Sequence, residues 1–116
     1  MPGELPGELL AERLAVLPGG DIAEVIITER VAAFAERLRE CYARWHAGQG
    51  WSAWQKVTGD VFDVSITPDA RGAEPAALIS AVVWVPSLLG AVAVGHDSRQ
   101  LAYFQLTASG ITSAGL

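Results

Sequence analysis

Asp21–Trp45 reads DIAEVIITERVAAFAERLRECYARW, and its periodicity decides the fold class. Ile27, Val31, Phe34, Leu38, Cys41 and Trp45 follow steps of three and four, which predicts one apolar stripe on an α-helix. Charged Glu29, Arg30, Glu36, Arg37, Arg39, Glu40 and Arg44 fill the remaining surface, with Glu40 and Arg44 at the helix-stabilising i,i+4 spacing. Asp21 and Glu24 form a capping box, and Gly48 and Gly50 supply a stop. Val25-Ile26-Ile27-Thr28 is β-branched, so a short strand with a later helix start at Thr28 stands as the alternative. The favoured reading is one helix from about residue 21, with Phe34, Leu38 and Trp45 buried against a sheet.

Outward from this stretch, Leu9, Leu10, Leu14 and Leu17 recur at helical spacing before a Pro18-Gly19-Gly20 turn. Residues 1–20 are therefore an N-terminal arm or short helix, and 21–116 a single domain. Trp51–Val57 reads as a second short helix, with Trp51 and Trp54 on one face. Asp60–Thr67 alternates, Phe62, Val64 and Ile66 opposing Val61, Asp63, Ser65 and Thr67, as a half-buried strand does. Residues 68–75 form a loop. Ala77–Val85 and Leu89–Val94 read as buried strands broken at Pro86, and Gly95-His96-Asp97-Ser98 as a turn. Leu101–Ala108 is a strand, Ser109-Gly110 a turn, and Ile111–Leu116 a last strand. Helices followed by strands predict an α+β fold, N-terminal helices packed on a mostly antiparallel, curved sheet.

Composition removes several function classes. Of 116 residues half are apolar and the net charge is −5, without a basic stripe, which excludes nucleic acid. The lone Cys41, and an N-terminus with no basic region before an apolar stretch, predict a cytoplasmic protein. From Pro75 to Gly95 no residue is charged. Pro86, Gly90 and two serines, with no flanking Lys or Arg, argue against a membrane span there. Ala77–Val85 does not alternate, so its second face needs a cover: another subunit, the N-terminal part of the chain, or a ligand. A homo-oligomer is expected.

No phosphate-binding glycine loop, nucleophile elbow or metal-spaced Cys/His pair is present, so no cofactor and no metal are expected. His96 and Asp97 read as exposed turn residues, His46 as a partner of a helix C-terminus, and Cys41 as a packed small hydrophobe. Trp45, Trp51 and Trp54 fall within ten positions, as anchors of a helix–sheet junction or as the wall of an apolar pocket. Asp63 is either a solvated strand residue or, if it faces a pocket, a general base.

Residues 34–66, FAERLRECYARWHAGQGWSAWQKVTGDVFDVSI, resemble the opening of the ketosteroid isomerase-like, or SnoaL-like polyketide cyclase, superfamily of cone-shaped α+β domains. Tyr42, Trp45 and Gly48 match its Y-x-x-W-x-x-G stretch, and Asp60 its strand-entry Asp. The resemblance implies a curved sheet wrapping a helix around an apolar pocket, lined here by Tyr42, Trp45, Trp54 and Trp84, with Asp63 as base. Two functions follow. One is a non-enzymatic assembly or interaction module that oligomerises through an apolar sheet, its partner a second copy or another protein. The alternative is an isomerase or cyclase on an apolar small molecule. The missing catalytic constellation favours the first.

Overall fold

Glu24 and Arg44, expected on one helix, stand opposite each other on adjacent antiparallel strands of a computed structural model. The structure describes residues 4–89 and 91–114, with only the backbone described at 87, 88 and 93–97. The expected helix is a hairpin of β2 (Ile22–Val31) and β3 (Arg37–Ala47), in which Ala23 pairs with Trp45 and Val31 with Arg37. Ala23, Val25 and Ile27 alternate inward with Cys41, Ala43 and Trp45, and all six are buried. The four β-branched residues at 25–28 favour this pleated surface. The alternating face shares several positions with a helical stripe, and that overlap made the helix credible.

The α+β expectation is therefore corrected to an all-β fold of two antiparallel sheets. Among the described residues the only helical element is a 3₁₀ turn at Ala33–Ala35, linking β2 to β3. There Phe34 and Ala35 take left-handed backbone angles, with φ of 63° and 56°. Phe34 is fully exposed and Leu38 half-buried; of the three residues expected against a sheet, only Trp45 is buried.

The predicted N-terminal helix is strand β1 (Glu8–Val16), antiparallel to β2 at the sheet edge. Its leucines, Leu9, Leu10 and Leu14, are exposed, whereas Ala15 and, just past the strand, Leu17 are buried. The predicted second helix divides into β4 (Gly50–Trp51) and β5 (Gln55–Gly59), both paired to β3. Asp60, with φ of 48°, alone links β5 to the second sheet, so the two sheets meet at a tight corner.

The second sheet has the order β6 (Val61–Pro68), β7 (Ala77–Leu89), β8 (Val92–Thr107), β9 (Gly110–Ser113). A register shift between Val61 and Asp63 moves Val61 into the core with Val64 and Ile66 and leaves Phe62 outside, contrary to simple alternation. β7 continues through Pro86, where the shifted register from Val85 to Ser87 accommodates a residue with no N–H to donate. The expected turn at 95–98 lies inside β8. The side chains of His96 and Asp97 fall outside the described residues.

The core lies between the sheets. Alanines at 23, 43, 77 and 81, all buried, let the layers approach around Ile27, Ile79 and Leu106. No described helix is long and apolar enough to cross a membrane.

Candidate functional site

Strand parity separates the residues expected to line one pocket. Tyr42 lies on the outer face of the first sheet, opposite Ile26 and Lys56, and burial pushes its phenol pKa up. Trp45, an odd number of residues further on, points into the core, and its Nε1 donates to Asp21 Oδ2 at 2.8 Å. Trp54 sits in the link between β4 and β5, over the guanidinium of Arg44. Trp84 belongs to the other sheet, edge-to-face with Phe62 at 5.6 Å. Asp63 has a side chain 58% exposed, accepts the Val64 N–H at 2.9 Å and faces Arg13 at 3.9 Å. It borders a shallow groove of about 80 Å³ with Ser65, Ser80, Val82 and Leu101. The structure does not bring these five residues together.

Buried ion pairs, which no short-range sequence signal marked, hold the outer face of the first sheet. Arg44 Nε donates to Glu24 Oε1 at 2.6 Å while its guanidinium lies between Trp51, at 4.1 Å, and Trp54, at 4.2 Å. Burial raises the Glu24 pKa, a hydrogen bond with Glu12 adds to the rise, and Arg44 opposes it. Glu40 accepts Arg30 Nε on one oxygen and Lys56 Nζ on the other, each at 2.8 Å, and these two cations hold its pKa low. In the β6–β7 loop, Asp69 takes three hydrogen bonds from Arg71 and one from Gln105; chiefly through Arg71, its pKa falls to about 2. Burial pushes the Cys41 thiol up to about 12, which leaves it inert as a nucleophile. Among the described residues no cluster of His, Cys, Asp or Glu could hold a metal ion.

The most unusual surface is apolar. β6 pairs with β7 only as far as Val83, with one more bond from Trp84 N–H to Asp60 O at 2.8 Å. β9 pairs with β8 only over Phe104–Thr107. Among the described residues, those from Val85 to Ser98 pair only with each other, and Trp84 faces Arg99 and Leu89 faces Val92 in a two-stranded ribbon. At its base Arg99 lies 4.0 Å from the Phe62 ring and 4.5 Å from that of Trp84. Beyond it Leu89 and Val92 are 75% and 66% exposed. Comparison with known protein families, curated proteins and solved structures finds no match.

The ribbon was foreshadowed by the charge-free run from Pro75 to Gly95, but its projection was not, because a buried and a projecting strand share one composition. Phe34 went unrecognised as an exposed tip because its loop carries no glycine, proline or asparagine.

Proposed function

We propose that this protein is a non-enzymatic cytoplasmic assembly module, whose apolar ribbon docks on a second copy of the chain. The observation that carries the reading is that, among the described residues, those from Val85 to Ser98 pair only with each other, with Leu89 and Val92 exposed. An isolated two-stranded hairpin is marginal in water, and an uncovered apolar edge invites another strand.

A second copy is the fitting occupant because the same chain carries a matching acceptor. β1 ends its sheet with an open backbone edge and exposes Leu9, Leu10, Leu14 and Val16. Ribbon and β1 are different surfaces, so two copies can close reciprocally as a two-fold dimer, or successive copies can join head-to-tail as a ring or filament. A ribbon of this length, covered on both faces, buries on the order of 1,000 Å² counting both partners, the lower end of stable interfaces. The isomerase or cyclase alternative rests on Asp63, whose exposed side chain faces Arg13.

Light scattering tests the proposal at micromolar concentration. The expected mass is a multiple of 12.2 kDa, falling to one protomer in the Leu89→Asp, Val92→Asp double variant with the circular dichroism spectrum kept. A monomeric wild-type chain overturns the proposal; if that monomer also sediments with neutral lipid vesicles, the ribbon is a membrane anchor instead.

A further inference from the structure

Where the sheets meet at Asp60, a cavity of about 250 Å³ is lined by Arg30, Arg39, Lys56, Leu38, Glu40 and the Gly59–Asp60 bend. Arg39 stands out. Along β3 it has the parity of Trp45, Ala43 and Cys41, while Leu38 and Glu40 have the other, so it lines the cavity from the opposite face of the strand to Glu40 and its two cations. Its Nε is buried without a hydrogen-bond partner, and no ion pair reaches the side chain among the described residues. A desolvated donor left without an acceptor is costly and calls for an explanation.

The neighbouring carboxylates do not supply one. Glu29, opposite Arg39 across the β2–β3 pair, accepts from Arg37 at 3.0 Å. Both oxygens of Glu40 are occupied, by Arg30 and Lys56. Asp60 is exposed at the rim and makes no hydrogen bond or ion pair with Arg39. Three cations thus border the cavity against two carboxylates, one of them already shared, in a chain whose net charge is −5.

We propose that this corner cavity binds a phosphate group, with Arg39 as its principal donor and Arg30 and Lys56 as flanking cations. The planar guanidinium fork of Arg39 suits a tetrahedral oxyanion, and Arg30 and Lys56 add positive charge from the other side of the strand. Glu40 holds Arg30 and Lys56 in place before the anion arrives, which lowers the ordering cost of binding. The phosphate belongs to a small soluble monoester or to a lipid headgroup; the chemistry of recognition is shared.

The test is titration of the full chain with inorganic phosphate, followed by amide NMR shifts at Arg39, Glu40 and Gly59, with ionic strength held constant by chloride. Saturable shifts are expected, weakened on the order of tenfold in Arg39→Gln and less in Lys56→Gln, whose exposed side chain makes misfolding no explanation. Arg13→Gln, on the β1 side, leaves them unchanged. Equal shifts in chloride, or a phosphate response that survives Arg39→Gln, overturn the proposal. Glycerol phosphate and phosphatidylcholine vesicles with and without phosphatidic acid identify the source. Arg39-dependent binding to the acidic vesicles assigns a headgroup, and Arg39-dependent binding to the soluble ester alone assigns a metabolite.

Discussion

Strand β7 lies in two environments. From Ala77 to Val83 it has β6 on one side and β8 on the other, and Ala77, Ile79 and Ala81 are buried. From Val85 to Leu89 only β8 pairs with it among the described residues, and Leu89 is mostly exposed. Both halves are predominantly apolar and neither carries a charge. The difference is whether neighbouring strands and a facing sheet exist. In the body, apolar side chains stabilise the fold. In the ribbon, Leu89 and Val92 stay largely exposed, and on the proposed reading their stabilising value comes from association.

Substitution should separate the halves most sharply. Ile79 is fully buried, so Ile79→Ala is expected to destabilise by about 3 kcal/mol through lost transfer energy and a cavity. Leu89→Ala, ten residues on in the same strand, should change the stability of the isolated protomer by less than about 0.5 kcal/mol. Urea denaturation at a concentration low enough to keep the chain monomeric measures both. Equal losses would mean that the ribbon folds back onto its own body.

The same contrast shows what was legible in the residues. Alternation placed β6, the loop after it and the turn at Pro18–Gly20, because side-chain period and turn chemistry are local. The hairpin at 22–47 was not legible as such. Ile27, Val31, Cys41 and Trp45 occupy odd positions, which satisfy both a two-residue repeat and much of a helical one. Ala32-Ala33-Phe34-Ala35 gives no breaker to choose between them. The β-branched run at 25–28 was the signal available. The site suffered likewise: three tryptophans close in sequence suggested one pocket, but parity sends Trp45 inward and Arg44 outward to Trp51 and Trp54. Pairings such as Glu24 with Arg44 depend on register, which no local pattern specifies.

A second prediction sharpens the body side through pH. The Arg71 hydrogen bonds to Asp69 lower its folded pKa to about 2, below the unfolded value of about 3.9. A depressed carboxyl contributes stability that is fully present above the unfolded pKa and is lost as pH falls through the folded one. The β6–β7 loop should therefore weaken between about pH 4 and pH 2. Glu24 acts with the opposite sign: its raised pKa favours the folded state as pH falls through that value. Asp69→Asn should flatten the acid limb of a stability–pH curve and leave Glu24's opposite contribution in place. An acid limb unchanged in the variant would show that Asp69 is not clasped by Arg71 in solution.

The smallest expected effect falls at the other apolar projection. As a helix residue facing a sheet, Phe34 would lose on the order of 3 kcal/mol on truncation. At the tip of the β2–β3 hairpin it is fully exposed and holds φ of 63°, ψ of 28°, a left-handed conformation that costs a non-glycine residue about 1 kcal/mol. Phe34→Gly removes that strain but enlarges the unfolded ensemble, which costs roughly 0.5–1 kcal/mol. The two terms nearly cancel, so the denaturation midpoint should move by the equivalent of no more than about 0.5 kcal/mol in either direction. Phe34→Ala keeps the strain and loses no buried area, so it too should be close to neutral. A loss near 3 kcal/mol in the monomer would return Phe34 to a packed core and break the hairpin assignment. A loss seen only at concentrations where the chain associates would instead make this tip, with the ribbon, part of the contact between copies.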